Sequence, residues 1–64
     1  MGYNKEVLIN ELSTDIDGIN EFISLTNNAK IDDYTKRRIV KELEIQLNYL
    51  IDIKDDTQTA KDFN

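Results

Sequence analysis

The chain lacks cysteine, histidine, proline and tryptophan altogether, and only two of its 64 residues are glycine. The absence of cysteine excludes disulfides, and it excludes a Cys/His metal site as well. Without histidine or cysteine there is neither a Ser-His-Asp triad nor a Cys-His pair, and no imidazole base titrates near neutral pH. Two glycines are too few for a Gly-rich phosphate loop. These absences predict a protein that is not an enzyme and uses no metal or cofactor.

The length of the chain gives room for one small domain whose stability as a monomer is close to zero. A chain of this size hides only about 60% of the surface that its unfolded form exposes. The apolar part of that burial favours folding by about 100 kcal/mol, and ordering the chain at about 1.5 kcal/mol per residue costs nearly the same. Since disulfides and metals are excluded, self-association is the remaining source of stability. We therefore expect a homo-oligomer.

The distribution of apolar residues argues against a membrane or secreted protein. There is no run of eighteen apolar residues and no basic leader before an apolar segment, so we expect a soluble, cytoplasmic chain without membrane contact. Isoleucine and asparagine are abundant while alanine, glycine and proline are scarce. This bias is typical of AT-rich codons and favours a low-GC bacterium, or its phage, as the source.

Apolar residues recur at intervals of three and four and predict a first helix over about residues 4–27. Asn4 is suited to cap its start, because its side chain can accept from an amide of the first turn. Gly18 weakens the middle of this helix but leaves room for the close approach of a neighbouring helix. The predicted contact stripe consists of Ile9, Leu12, Ile16, Ile19 and Ile23.

A loop over residues 28–33 and a second helix over about 34–54 follow. Asp32 or Asp33 caps the second helix, with its carboxylate favoured by the helix dipole. The stripe of this helix is formed by Ile39, Val40, Leu43, Leu47 and Leu50. Residues 55–64 are polar and predict a flexible tail. The fold class is therefore all-α, an antiparallel two-helix hairpin over residues 1–54.

Each helix carries more apolar surface than one partner helix can cover, because a helix buries a stripe about 100° wide. One interpretation is scattered surface residues, which are normal in soluble proteins. The other, which we favour, is an interface with a partner or with further copies, most simply a homodimeric four-helix bundle made of two hairpins. The candidate interface residues are Leu8, Ile19, Phe22, Tyr34, Arg38, Ile45, Tyr49 and Ile53.

A basic cluster interrupts a chain whose net charge is −5. One interpretation is a site for phosphate-bearing ligands, since Arg and Lys pair with phosphate oxygens. The other is a solvated helix start with local ion pairs, such as Lys41 with Glu44 and Arg38 with Glu42. Duplex DNA is disfavoured, because the acidic remainder of the chain repels its backbone. The candidate anion or nucleotide contacts are Tyr3, Lys36, Arg37, Arg38 and Lys41, with Lys30 in the preceding loop.

Short motifs resemble the helical-hairpin cyclic-nucleotide sponges with which phages block CBASS and Thoeris immunity. The resemblance rests on Gly2-Tyr3 ahead of the segment Leu8-Ile9-Asn10-Glu11, and on a second helix with Asp33, Arg37, Arg38, Leu43 and Leu50. It implies an oligomer that holds a cyclic oligonucleotide between hairpins. In that arrangement Tyr3 stacks on a base and an arginine contacts a phosphate.

These observations favour a small binding protein without catalytic activity. We expect a phage or mobile-element inhibitor that occludes or sequesters a host protein of defence or regulation. The alternatives are a cyclic-oligonucleotide sponge that blocks immune signalling and a small DNA-binding regulator.

Overall fold

The computed structural model describes residues 4–61, which form two packed helices, α1 (Lys5–Asn28) and α2 (Asp33–Thr59). The short connection and a hydrogen bond from Lys5 Nζ to the carbonyl oxygen of Ala60, 2.8 Å long, show that the helices run antiparallel. The molecule is a rod of 51 × 15 × 14 Å. The predicted all-α hairpin is thereby confirmed, whereas its assembly into a larger bundle stays a prediction.

Side-chain caps define where both helices begin. The Asn4 side chain accepts a 2.9 Å hydrogen bond from the amide of Val7. The Asp32 carboxylate accepts from the amide of Thr35 at 2.9 Å and from the Thr35 hydroxyl at 2.8 Å. Of the two candidate caps for α2, Asp32 therefore fills the role, while Asp33 lies in the first helical turn, where the helix dipole favours a carboxylate.

Helix α2 continues to Thr59 rather than ending near Lys54, so residues 55–59, half of the segment predicted as a flexible tail, are helical. The Thr57 hydroxyl donates to the carbonyl oxygen of Ile53 over 2.8 Å, and Lys54 and Thr57 are both partly buried. The last turns thus pack on the start of α1 through Thr57 and the Lys54 stem rather than through large apolar side chains. Periodicity of apolar residues gives little signal for such turns. Residues 62–64 of the predicted tail lie outside the described part of the chain.

The core is a single seam between the two helices, and within residues 4–61 only Leu12 is buried, at 7% exposure. The rest of the seam stays partly exposed, because each helix is covered on one side only. Ile39, which the sequence assigns to the contact stripe, lies at the edge of the seam and is exposed. The partly buried apolar residues of the seam are Ile9, Ile16, Ile19, Ile23, Val40, Leu43, Leu47 and Leu50.

Candidate functional site

The two sides of the hairpin that flank the seam differ in chemistry. Successive residues of a helix are rotated by about 100°, so the residue before each seam residue lies on one side and the residue after it on the other. In an antiparallel pair, the preceding residues of both helices fall on the same side of the hairpin. This geometry divides the exposed surface into two flanks along the whole rod.

The flank formed by the following residues is polar. Ile51 is its one exposed apolar member among the large side chains. We name this surface the polar flank, and its other members are Asn10, Ser13, Asp17, Asn20, Ser24 and Asn27 on α1 and Arg37, Lys41, Glu44, Asn48 and Asp55 on α2.

The opposite flank carries large apolar side chains exposed to solvent. Phe22 is 60% exposed, Ile45 62% and Tyr49 67%. Such exposure of aromatic and branched residues on one side of so small a protein is typical of an interaction surface. We name this surface the apolar flank. Its apolar members are Leu8, Phe22 and Leu25 on α1 and Ile39, Ile45, Tyr49 and the partly buried Ile53 on α2, with Leu25 and Ile45 at its outer edges. The acidic side chains of Glu11, Asp15, Glu42 and Asp56 share this flank and divide its apolar members into groups.

The structure brings together five of the residues predicted as an interface on the apolar flank, namely Leu8, Phe22, Ile45, Tyr49 and Ile53. Of the other three, Ile19 is partly buried in the seam. Tyr34 and Arg38 lie on the outer side of α2 near the loop, on the same helix face as Ile45, which follows Arg38 by two turns. There the Arg38 guanidinium lies 5.9 Å from the centre of the Tyr34 ring, a cation–π contact.

Leu25 is a member of the apolar flank that sequence reasoning missed. It is 58% exposed. Sequence could have identified Leu25 as a member of the same surface, because it follows Phe22 by three residues and residues three apart share a helix face.

Near its middle, the apolar flank has a gap at Gly18 on α1. A Cβ atom built at Gly18 would meet no atom within 4 Å. The packing of α1 on α2 therefore does not require this glycine, which costs a helix about 1 kcal/mol relative to alanine. The room expected beside Gly18 opens to solvent on the apolar flank, and α2 does not use it.

A shallow, open depression of about 460 Å³ lies on the polar flank near the loop, lined by Asn27, Asp33, Lys36, Arg37, Val40, Lys41 and Glu44. The predicted anion contacts are divided by this geometry. Lys36, Arg37 and Lys41 line the depression, whereas Arg38 points towards Tyr34. Tyr3 lies outside the described residues. The depression thus brings three cations together with two carboxylates.

Among the titratable groups, Asp32 has a pKa below its ordinary value of 3.8, because its carboxylate accepts hydrogen bonds from the backbone and the hydroxyl of Thr35. The lowered pKa therefore follows from the role of Asp32 as the cap of α2. A capping carboxylate in contact with water stabilises a helix start and has no geometry for proton transfer to a bound substrate.

In the part of the chain that the structure describes, no three carboxylates come together as a metal-ligand set, and neither helix is long and apolar enough to cross a membrane. In comparisons with known proteins, the chain matches no family model, no curated protein and no solved structure.

Proposed function

We propose that this chain is a non-enzymatic binding protein that acts by covering a protein surface with its apolar flank. The supporting observation is the exposure of Phe22, Ile45 and Tyr49 on one side of a rod whose other side is polar. Aromatic side chains supply much of the binding energy at protein interfaces, since they remove a large apolar area from water with few rotatable bonds.

The shape of this surface suits occlusion of a partner. A pair of antiparallel helices presents a long, narrow apolar strip, which fits a groove or an exposed helix face of another protein. The abundance of amino acids with AT-rich codons indicates a low-GC bacterial host. We propose a host protein of defence or regulation as the partner, blocked by the hairpin in the host cytoplasm.

Affinity capture with matched variants tests this proposal. The unmodified chain, immobilised and exposed to lysate of a low-GC host, should retain specific proteins other than the chain itself. Truncating Tyr49 and Ile45 together to alanine should lower that retention at least about ten-fold, the equivalent of about 1.4 kcal/mol. Asn48→Ala on the polar flank of the same helix is the control. Equal retention by all three chains would contradict the proposal.

A second candidate function, a sponge for cyclic oligonucleotides, is supported by the depression that gathers Lys36, Arg37 and Lys41. Cations at this spacing can pair with phosphates, although Asp33 and Glu44 in the same lining oppose an anion. A cyclic dinucleotide should then raise the melting temperature of the chain. Arg37→Ala should abolish that rise, whereas Arg38→Ala should preserve it because Arg38 lies outside the depression. No rise with cyclic di- or trinucleotides would exclude the sponge.

A further inference from the structure

We infer that the apolar flank binds a second copy of this chain, stacked flank to flank and antiparallel. In this dimer the loop end of one hairpin (residues 18–41) covers the open end of the other (residues 4–15 and 52–61). The inference rests on the proposed function of the apolar flank as an interface, and it implies that a host protein reaches this flank by displacing the second copy.

The surface area of the hairpin is large enough for such a dimer. The hairpin exposes 5545 Å², about 1,300 Å² more than the roughly 4,200 Å² expected of a compact monomer of its mass. A standard interface hides about 800 Å² on each partner. The radius of gyration is 15.1 Å, whereas a compact domain of this length has about 11 Å. This elongated shape leaves the flanks of the hairpin exposed to solvent. One further hairpin on one flank supplies an interface of the required size.

The shortage of core explains why the occupant is a copy of the chain. With Leu12 as the one buried side chain of residues 4–61, the hairpin gains too little from its own seam to offset the entropy of ordering. A second copy carries the same uncovered flank, so one contact supplies the missing burial to both chains. Two hairpins stacked on their apolar flanks form a four-helix bundle, whose interior encloses the seam and the flanks together.

The net charges of the two ends favour the antiparallel orientation. Residues 18–41, which contain the loop and the adjoining halves of both helices, carry five basic and three acidic side chains, a net charge of +2. Residues 4–15 carry one basic and three acidic groups and residues 52–61 carry two basic and three acidic groups, which gives −3 for the open end. An antiparallel stack sets the positive end of one hairpin beside the negative end of the other, whereas a parallel stack sets like charges together. Lys36, Arg37 and Lys41 lie on the polar flank, so this attraction acts at a distance rather than through contacts across the interface.

The middle of the apolar flank suits the crossing point of this stack. Gly18 and Gln46 lie near the middles of α1 and α2, so in an antiparallel dimer they lie close to the twofold axis. The open space at Gly18 lets the two α1 helices approach closely there.

Sedimentation analysis of two matched variants tests the interface. The unmodified chain should sediment as a dimer at micromolar concentration. Phe22→Glu places a charge on the apolar flank and should raise the dissociation constant at least about ten-fold. Asn20→Glu places the same charge on the polar flank of the same helix and should leave that constant within about two-fold. A monomeric unmodified chain, or an equal effect of both variants, would overturn the inference.

Cross-linking tests the orientation without depending on a destabilising substitution. Because the chain has no cysteine of its own, single-cysteine variants react at one place. With a short bifunctional maleimide, Gln46→Cys should cross-link to itself, and Asn48→Cys on the polar flank should not. Leu8→Cys should cross-link to Leu25→Cys in a mixture of the two chains but not to itself. A Leu8–Leu8 cross-link would overturn the antiparallel arrangement.

The same variants separate failure of the dimer from failure of the proposed function. A monomeric chain that captures a host protein, and loses it on Phe22→Glu but not on Asn20→Glu, contradicts the dimer and leaves the proposed function standing. A monomeric chain whose captured proteins do not depend on Phe22 contradicts both. A dimer that dissociates on Phe22→Glu supports the inference whatever the lysate yields.

Discussion

At the scale of single residues, Leu12 is the side chain on which the seam depends most. It is 7% exposed, whereas Ile51 on the polar flank is 45% exposed. Leu12→Ala should lower the free energy of unfolding by about 2–5 kcal/mol, because it leaves a cavity in the seam. Ile51→Ala, measured at the same chain concentration, should change it by about 1 kcal/mol or less. Denaturant titration followed by circular dichroism measures both, and equal losses would refute a core centred on Leu12.

The cap at Asp32 gives a residue-scale prediction for pH. Because Thr35 lowers the pKa of this carboxyl in the folded chain, Asp32 contributes stability above its unfolded pKa. That contribution disappears as the pH falls through the lower folded pKa. Asp32→Asn keeps a capping side chain without the charge. The melting temperature of the unmodified chain should therefore exceed that of Asp32→Asn more at pH 7 than at pH 2. If the difference in melting temperature were independent of pH, the charge of Asp32 would not contribute to the stability of the cap.

At the scale of the helices, the C-terminal turns of α2 distinguish the observed structure from the predicted tail. Asp56 lies inside the helix, and Lys61 lies just beyond its last residue. Asp56→Pro should lower the free energy of unfolding by up to about 3 kcal/mol, because proline removes a helical hydrogen bond and clashes with the preceding turn. Lys61→Pro should change it by about 0.5 kcal/mol or less. Thermal unfolding followed by circular dichroism tests this. If Asp56→Pro left the free energy of unfolding unchanged, the segment after Lys54 would be the flexible tail that the sequence predicts.

The sequence predicted helix starts better than it predicted the end of α2. Asn4 is read directly from the chain, and the cap of α2 is confined to Asp32 or Asp33, because a capping side chain acts on amides within the first turn. The contact stripes follow from periodicity for the same local reason. The end of α2 depends on contacts between residues far apart in sequence, such as Lys5 Nζ with the Ala60 carbonyl oxygen. Local patterns do not encode such contacts.

At the scale of the whole molecule, the sequence indicates the surplus of apolar residues but not its placement. Phe22 and Tyr49 share a flank only because the two helices run antiparallel with a particular rotation about their axes. This pairing of faces depends on tertiary packing, which periodicity within one helix does not specify. By contrast, the separation of Arg38 from Arg37 follows from the rotation of about 100° between successive helical residues. The place of Ile19 in the seam matches its predicted place in the contact stripe.

The dependence of the melting temperature on chain concentration tests most directly whether the apolar flank completes the fold. When folding is coupled to association, more chain stabilises the folded state by mass action, as a ligand at 100 times its dissociation constant adds about 2.7 kcal/mol. The melting temperature of the unmodified chain should therefore rise by several degrees over a hundred-fold increase in concentration. A melting temperature that is constant over this range would show that the hairpin folds alone, and it would contradict a dimer that supplies the missing core.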